Sequence, residues 1–198
     1  MSEARGGQTV AEEFAWARDL SLGGLFIALG VVVPIVFHMV GGGHLGSVLL
    51  PMYAPVLAGA LLVSPGVAFL VGLLTPALSS ALTGMPPVLP ALPLMMAELS
   101  VMALVASLLR RKLHLHVVLA LILTLLVGRI VMGLTVFAAV RLLPAALVSG
   151  LPPIMLNPLT YVAAATAKAI PGLVLQMIVV PATVLAIERV SLPTPEVK

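Results

Sequence analysis

The chain has no cysteine, and only 9% of its 198 residues are charged and 4% aromatic. Without cysteine it can form no disulfide, no thiolate metal site and no thiol nucleophile. So few charges could not cover the outside of a soluble domain of this length. The aromatic side chains are too few to interleave with basic ones as nucleic-acid binding requires, so no nucleic-acid partner is expected. Catalytic signatures are missing as well. There is no G-x-x-x-x-G-K-[ST] phosphate loop, no G-x-S-x-G serine turn and no H-E-x-x-H metal motif. The expectation is a protein that is not an enzyme and carries no cofactor or resident metal.

What is present is apolar: 61% hydrophobic residues and a mean hydropathy of +1.23. This composition belongs to an integral membrane protein whose main solvent is the lipid bilayer. Apolar runs at about 20–40, 47–63, 66–83, 91–109, 117–140 and 162–187 predict six transmembrane helices. The expected fold is therefore all-α. Residues 1–19 form a polar cytoplasmic segment, 20–189 the transmembrane domain and 190–198 a cytoplasmic tail. The first run is too long for a cleaved signal, so it reads as a span. Residues 142–161 are apolar too, yet Pro144, Gly150, Pro152, Pro153 and Pro158 interrupt them. They read as an ordered outer loop or a partly re-entrant piece.

With six spans, Arg5, Arg18, Arg110, Arg111, Lys112, Arg189 and Lys198 share one side and Arg141 lies opposite. That bias accounts for the net charge of +3 and puts both termini in the cytoplasm of a multi-pass membrane protein. The Arg110-Arg111-Lys112 cluster needs no role beyond orientation.

Three ionisable residues fall inside apolar runs: Glu98, Arg129 and Lys168. At 1.5 Å per residue, Glu98 lies roughly 10 Å and Arg129 about 16 Å below the outer ends of their helices, with Lys168 near the outer start of the last. One charge at the centre of a span costs about 2.5–3.5 kcal/mol, so the three should face one another or water. Two arrangements meet that demand. Glu98 and Arg129 can form a structural ion pair while Lys168 snorkels to the headgroups. Alternatively, all three line an outward cavity with one net positive charge, suited to an anionic ligand.

The first outer loop adds His38, His44 and the glycines Gly41, Gly42, Gly43 and Gly46. It reads either as a lid whose backbone can approach a ligand or as a plain flexible connection. Pro34, Pro51, Pro55, Pro76, Pro171 and Pro181 imply broken helices, which in membranes gather where substrates bind or helices move. Small residues four apart, Gly24/Ala28, Ala54/Ala58 and Ala77/Ala81, mark faces where helices can approach closely.

Several of these pieces, in this order, resemble the substrate-binding S component of energy-coupling factor (ECF) vitamin transporters. They are a first span ending in Pro34-Ile-Val-Phe-His38, then Leu50-Pro51-Met52-Tyr53-Ala54-Pro55-Val56-Leu57-Ala58-Gly59, Gly128-Arg129, and Ile170-Pro171-Gly172 with Leu175-Gln176 and Pro181. Tyr53-Ala54 stands where relatives often carry His-Ile. The resemblance implies a subunit that captures a vitamin or related micronutrient from outside. It would then dock onto a transmembrane coupling protein with two cytoplasmic ATPases, itself hydrolysing no ATP. The family's Ala-x-x-x-Ala docking motif is matched by Gly24 and Ala28. Ligands in the family bind in the outer half, which adds Tyr53, Asn157 and Gln176 to Glu98, Arg129, Lys168, His38 and His44 as candidate contacts. The competing class is a membrane assembly or scaffold protein without a small-molecule substrate.

Overall fold

A computed structural model describes residues 2–142, 144, 148 and 150–190, with side chains left undescribed at 2–12, 38, 40–45 and 47. Its regular elements are the helices α1 (Ser2–Leu49), α2 (Tyr53–Leu62), α3 (Pro65–Thr83), α4 (Ala91–Arg111), α5 (Val117–Leu142) and α6 (Pro158–Val190), with a 3-10 turn at Pro153–Leu156 before α6. No strand occurs among the described residues. Lipid cannot satisfy free N–H and C=O groups, so a chain this apolar pairs its backbone within helices.

Five helices contain stretches long and apolar enough to cross a membrane: Glu13–Phe37 within α1, and the whole of α3, α4, α5 and α6. The expected second span is different. α2 has ten residues, about 15 Å of helix against a hydrocarbon core of about 30 Å. Pro51 and Leu50, with φ at +48°, break the chain before it, and Ser64-Pro65 ends it. Eight of its ten residues are buried. It sits at the centre, packed by α1, α3, α4 and α6, and supplies Val56, Leu57, Ala60 and Leu61 to a core completed by Phe26, Val71, Leu99, Met102, Leu121 and Val180.

The last carbonyls of a buried helix need partners. The Ser107 hydroxyl donates to Val63 O at 2.6 Å and Arg111 Nη2 donates to Leu62 O at 2.9 Å. The next amide, Ser64 N, donates to Asp19 Oδ2 at 2.7 Å. Asp19, 4% exposed, also takes Arg111 at 3.2 Å and Arg18 at 3.6 Å, while Arg110 pairs with Glu188 at 2.7 Å. The arginines read as orientation signals thus also tie α1, α2, α4 and α6 together at the basic end.

That anchor fixes the path of α1. From Asp19 to Leu49 a straight helix would rise about 45 Å, whereas α2 returns only about 15 Å from Tyr53 to the level of Asp19. Leu49 therefore lies far lower than a straight rod would carry it, and α1 must curve back between Pro34 and Leu49. The backbone stays helical through residues 41–46, where a loop was expected. Proline and glycine are the usual sites of such bending. The returning end rests on α6 at Gly172, where an added Cβ would stand 2.6 Å from Leu49 O and 2.7 Å from Val48 O.

α3 and α4 form the other tight pair. A Cβ on Gly72 would collide with the Leu99 carbonyl, so glycine there lets the two backbones meet. α3 ends at Gly84 in the left-handed region (φ +72°), whose N–H donates to Ser80 O at 2.9 Å. Between α5 and α6, Met155 of the 3-10 turn is buried against Leu94 and Val136, so the turn Pro153–Leu156 packs onto the bundle's end.

Candidate functional site

The cavity is built outward from α4. Residue 98 is on the buried face of that helix, in register with Leu94 and Met102, so its carboxylate points into the bundle rather than at lipid. Arg129 of α5 lies opposite, next to Gly128, whose missing side chain leaves room for Met102. Arg129 Nη2 donates to Glu98 Oε1 at 2.7 Å, and Tyr53 Oη donates to Glu98 Oε2 at 2.8 Å. Glu98 is 2% exposed and both of its oxygens are engaged. Arg129 is less complete: Nε has no partner among the described residues, and Nη1 reaches only the Met132 sulfur at 3.9 Å.

Above this group opens a cavity of about 960 Å³. Tyr53, Glu98, Arg129, Lys168 and Tyr161 supply polar groups, with Ser79 and Thr83, whose hydroxyls donate to backbone carbonyls. The rest of the lining is mostly apolar, among it Pro34, Leu50, Met52, Met95, Met132 and Ile154. A few convergent polar groups within an apolar concavity of this size are what a small-molecule site requires. The formal charge of the wall is +1, from Arg129 and Lys168 against Glu98. Lys168 forms no ion pair among the described residues.

A second hollow, about 580 Å³, lies at the basic end between Arg18, Arg110, Arg111, His114 and Glu188. Its arginines are already spent on Asp19, Glu188 and backbone carbonyls, so the cavity above Glu98 is the better candidate.

The structure brings Glu98, Arg129, Lys168 and Tyr53 onto one wall. Lys168 is deeper than expected. α6 starts at Pro158 rather than near 162, capped by Asn157 Oδ1, which accepts Thr160 N at 3.2 Å, so Lys168 lies about 15 Å along the helix. Asn157 is thus an N-cap and is not on the cavity wall. Gln176 is also off the wall: it is fully buried lower on α6, and neither amide atom has a hydrogen-bond partner among the described residues. The side chains of His38 and His44 lie outside the described residues. Gly24 and Ala28 face outward on α1, and an added Cβ at Gly24 would meet nothing. The inner face of α1 instead uses Gly23, Phe26 and Gly30.

Two features escaped the reading of the sequence. Tyr161 joins the wall; as one of only two tyrosines in the chain, its rarity was the available signal. The methionines of the wall gave none, because methionine in an apolar run is ordinarily core or lipid-facing.

Neither the curated proteins nor the solved structures give a match to the chain. The family model described as "ECF transporter, substrate-specific component" matches residues 18–184, which takes in the anchor at Asp19, the cavity and most of α6. That match covers most of the chain and accords with its apolar helices, and the chain belongs to the substrate-specific components of ECF transporters, which are multi-pass membrane proteins and not enzymes.

Proposed function

We propose that this chain captures an anionic, vitamin-like micronutrient in the cavity above Glu98 and delivers it inward by docking to an ATP-driven module of a transmembrane coupling protein and two cytoplasmic ATPases. The observation that carries the substrate charge is the division of labour within the polar group. Both Glu98 oxygens are consumed by Tyr53 and Arg129, while the Lys168 ammonium, which forms no ion pair among the described residues, remains to receive an acceptor. Hydrogen bonds from charged donors to an anion are the strong ones. The methionine and proline walls suit an uncharged body attached to that anion.

Docking rests on the outward face of α1. Gly24 and Ala28 are exposed beside Leu25 and Val32, an apolar surface with a shallow groove where a partner helix can approach closely. The arginine bias puts the opposite face of the cavity outside the cell.

Purification of the full chain in detergent, followed by denaturation and mass spectrometry of what is released, tests the substrate. A stoichiometric compound carrying a carboxylate or phosphate is expected, and its binding should weaken at least tenfold in Lys168→Gln. A cationic ligand would refute the anionic substrate, and no ligand with no copurifying ATPase would refute capture and delivery through this cavity. Replacing Gly24 and Ala28 by Trp should leave ligand binding intact and abolish uptake; undiminished uptake would remove the docking face.

A further inference from the structure

One face of α6 carries Ala165, Ala169, Gly172, Gln176 and Val180, spaced by four, three, four and four residues, so they stack in a single stripe. Ala165 and Ala169 line the cavity. Gly172 is covered by Val48 O and Leu49 O. Below that cover, Gln176 is fully buried, and both its Nε2 and its Oε1 lack a hydrogen-bond partner among the described residues. Val180, the next residue down, belongs to the apolar core. The cavity wall thus continues downward into a polar group that nothing satisfies, and the chain between α1 and α2 separates the two. That divider carries a leucine at φ +48°, Leu50, which also lines the cavity. A leucine in the left-handed region is strained, and such positions persist where the surrounding structure holds them.

We propose that Gln176 is the recognition group of a deeper subsite, continuous with the cavity when residues 48–52 move aside, which receives an uncharged edge of the substrate. A primary amide offers a donor and an acceptor side by side. Its complement is a group presenting an acceptor beside a donor, such as a lactam, amide or ureide edge. The neighbouring stripe residues are alanine, glycine and valine, so no counter-charge is provided there, and a charged group would be costly. Lys168 stands beside the stripe, eight residues before Gln176, about 12 Å along the helix. A substrate using both would be an elongated molecule with its anionic group at one end and its amide-like edge at the other. This rests on the cavity being the substrate site, and it specifies the second end of the molecule bound there.

The cysteine-free chain makes the test direct, because an introduced thiol is the sole one present. Full-length Ala165→Cys, Gln176→Cys and Val180→Cys chains would be exposed to the small uncharged reagent methyl methanethiosulfonate, with labelling followed by intact mass. Ala165→Cys should label fastest, Gln176→Cys more slowly but to completion, and Val180→Cys not at all in the same period. If Gln176→Cys is as inert as Val180→Cys while Ala165→Cys reacts, the subsite is refuted and the cavity stands. If Ala165→Cys is inert too, the cavity reading fails with it. Gln176→Leu supplies an independent readout. An amide without partners is replaced by leucine with no loss of thermal stability, or a gain. A fall of several degrees in the unfolding midpoint would mean that the amide is a structural link between helices, and would overturn the proposal.

Discussion

Removing the charge of Glu98 tests the polar group at its centre. In Glu98→Gln the amide oxygen can still accept from Tyr53, but the countercharge of Arg129 is gone. The guanidinium is 13% exposed, and among the described residues its remaining contact is the Met132 sulfur at 3.9 Å. Breaking a buried pair by removing one partner costs about 3–5 kcal/mol. Water in the cavity above moderates that, so a loss of about 3 kcal/mol is expected for Glu98→Gln. Arg129→Gln should cost less, because a stranded carboxylate can take up a proton and a guanidinium cannot give one up. The double variant removes both charges and should be destabilised by at least about 2 kcal/mol less than the sum of the singles. Unfolding of the purified chain by SDS titration in mixed micelles gives all four free energies. Additive losses of about 1 kcal/mol or less would show that the two charges are separately solvated and that the pair does not organise the cavity floor.

Other perturbations report on the remaining parts of the argument. Gly72→Ala drives a methyl into the Leu99 carbonyl and should destabilise by about 1–3 kcal/mol or more, whereas Gly66→Ala, where an added Cβ meets nothing, should be neutral or slightly stabilising; equal effects in thermal unfolding would refute the α3–α4 contact. The +1 charge of the cavity should make Ala165→Cys react about tenfold faster with an anionic methanethiosulfonate than with its trimethylammonium analogue, from about 0.8 kcal/mol per unit charge at 10 Å and an effective dielectric of about 40. Lys168→Gln in that background should erase the preference, and equal rates without it would refute the charge count. Asp19→Ala removes the acceptor of Ser64 N and the partner of Arg111, at about 1.5–3 kcal/mol, while Asp19→Asn keeps the first and should lose about half as much; thermal midpoints that do not separate the two variants would refute that division.

The bilayer-spanning class, the pairing of Glu98 with Arg129 and the family were legible because each rests on a charge or a motif standing out against an apolar background. Lipid penalises such residues wherever they point, so their presence announces a buried destination. Length along the chain was less legible. Hydropathy reads 47–63 as a full span, but Leu50 and Pro51 break it and leave ten helical residues, a fact set by backbone torsion rather than by polarity. Lys168 was assigned too close to the surface because Asn157 and Pro158 start α6 early. Arg110 and Arg111 carried an orientation signal that masked their second task, since a basic cluster looks alike whether it faces water or caps a neighbouring helix. The glycine-rich segment at 41–43 looked like a loop by composition, yet within a membrane protein the need to pair backbone groups favours helix over coil.

Polar satisfaction is distributed unevenly through the molecule, and the unevenness bears on what the chain is for. At the basic end, Asp19, Arg110, Arg111, Ser107 and Glu188 are all bonded, and the Leu62 and Val63 carbonyls at the end of α2 have side-chain donors. The buried side-chain atoms without partners among the described residues are Thr124 Oγ1, Arg129 Nε, Thr166 Oγ1 and both amide atoms of Gln176, all on α5 and α6. Each unsatisfied group costs about 1–3 kcal/mol, and well-packed proteins hold few of them. A protein built only to hold helices in register has no reason to retain several on the two helices that contribute Arg129 and Lys168 to the cavity above Glu98. A protein that waits for a guest does, because a hydrogen bond withheld from the empty state is affinity available to the bound one.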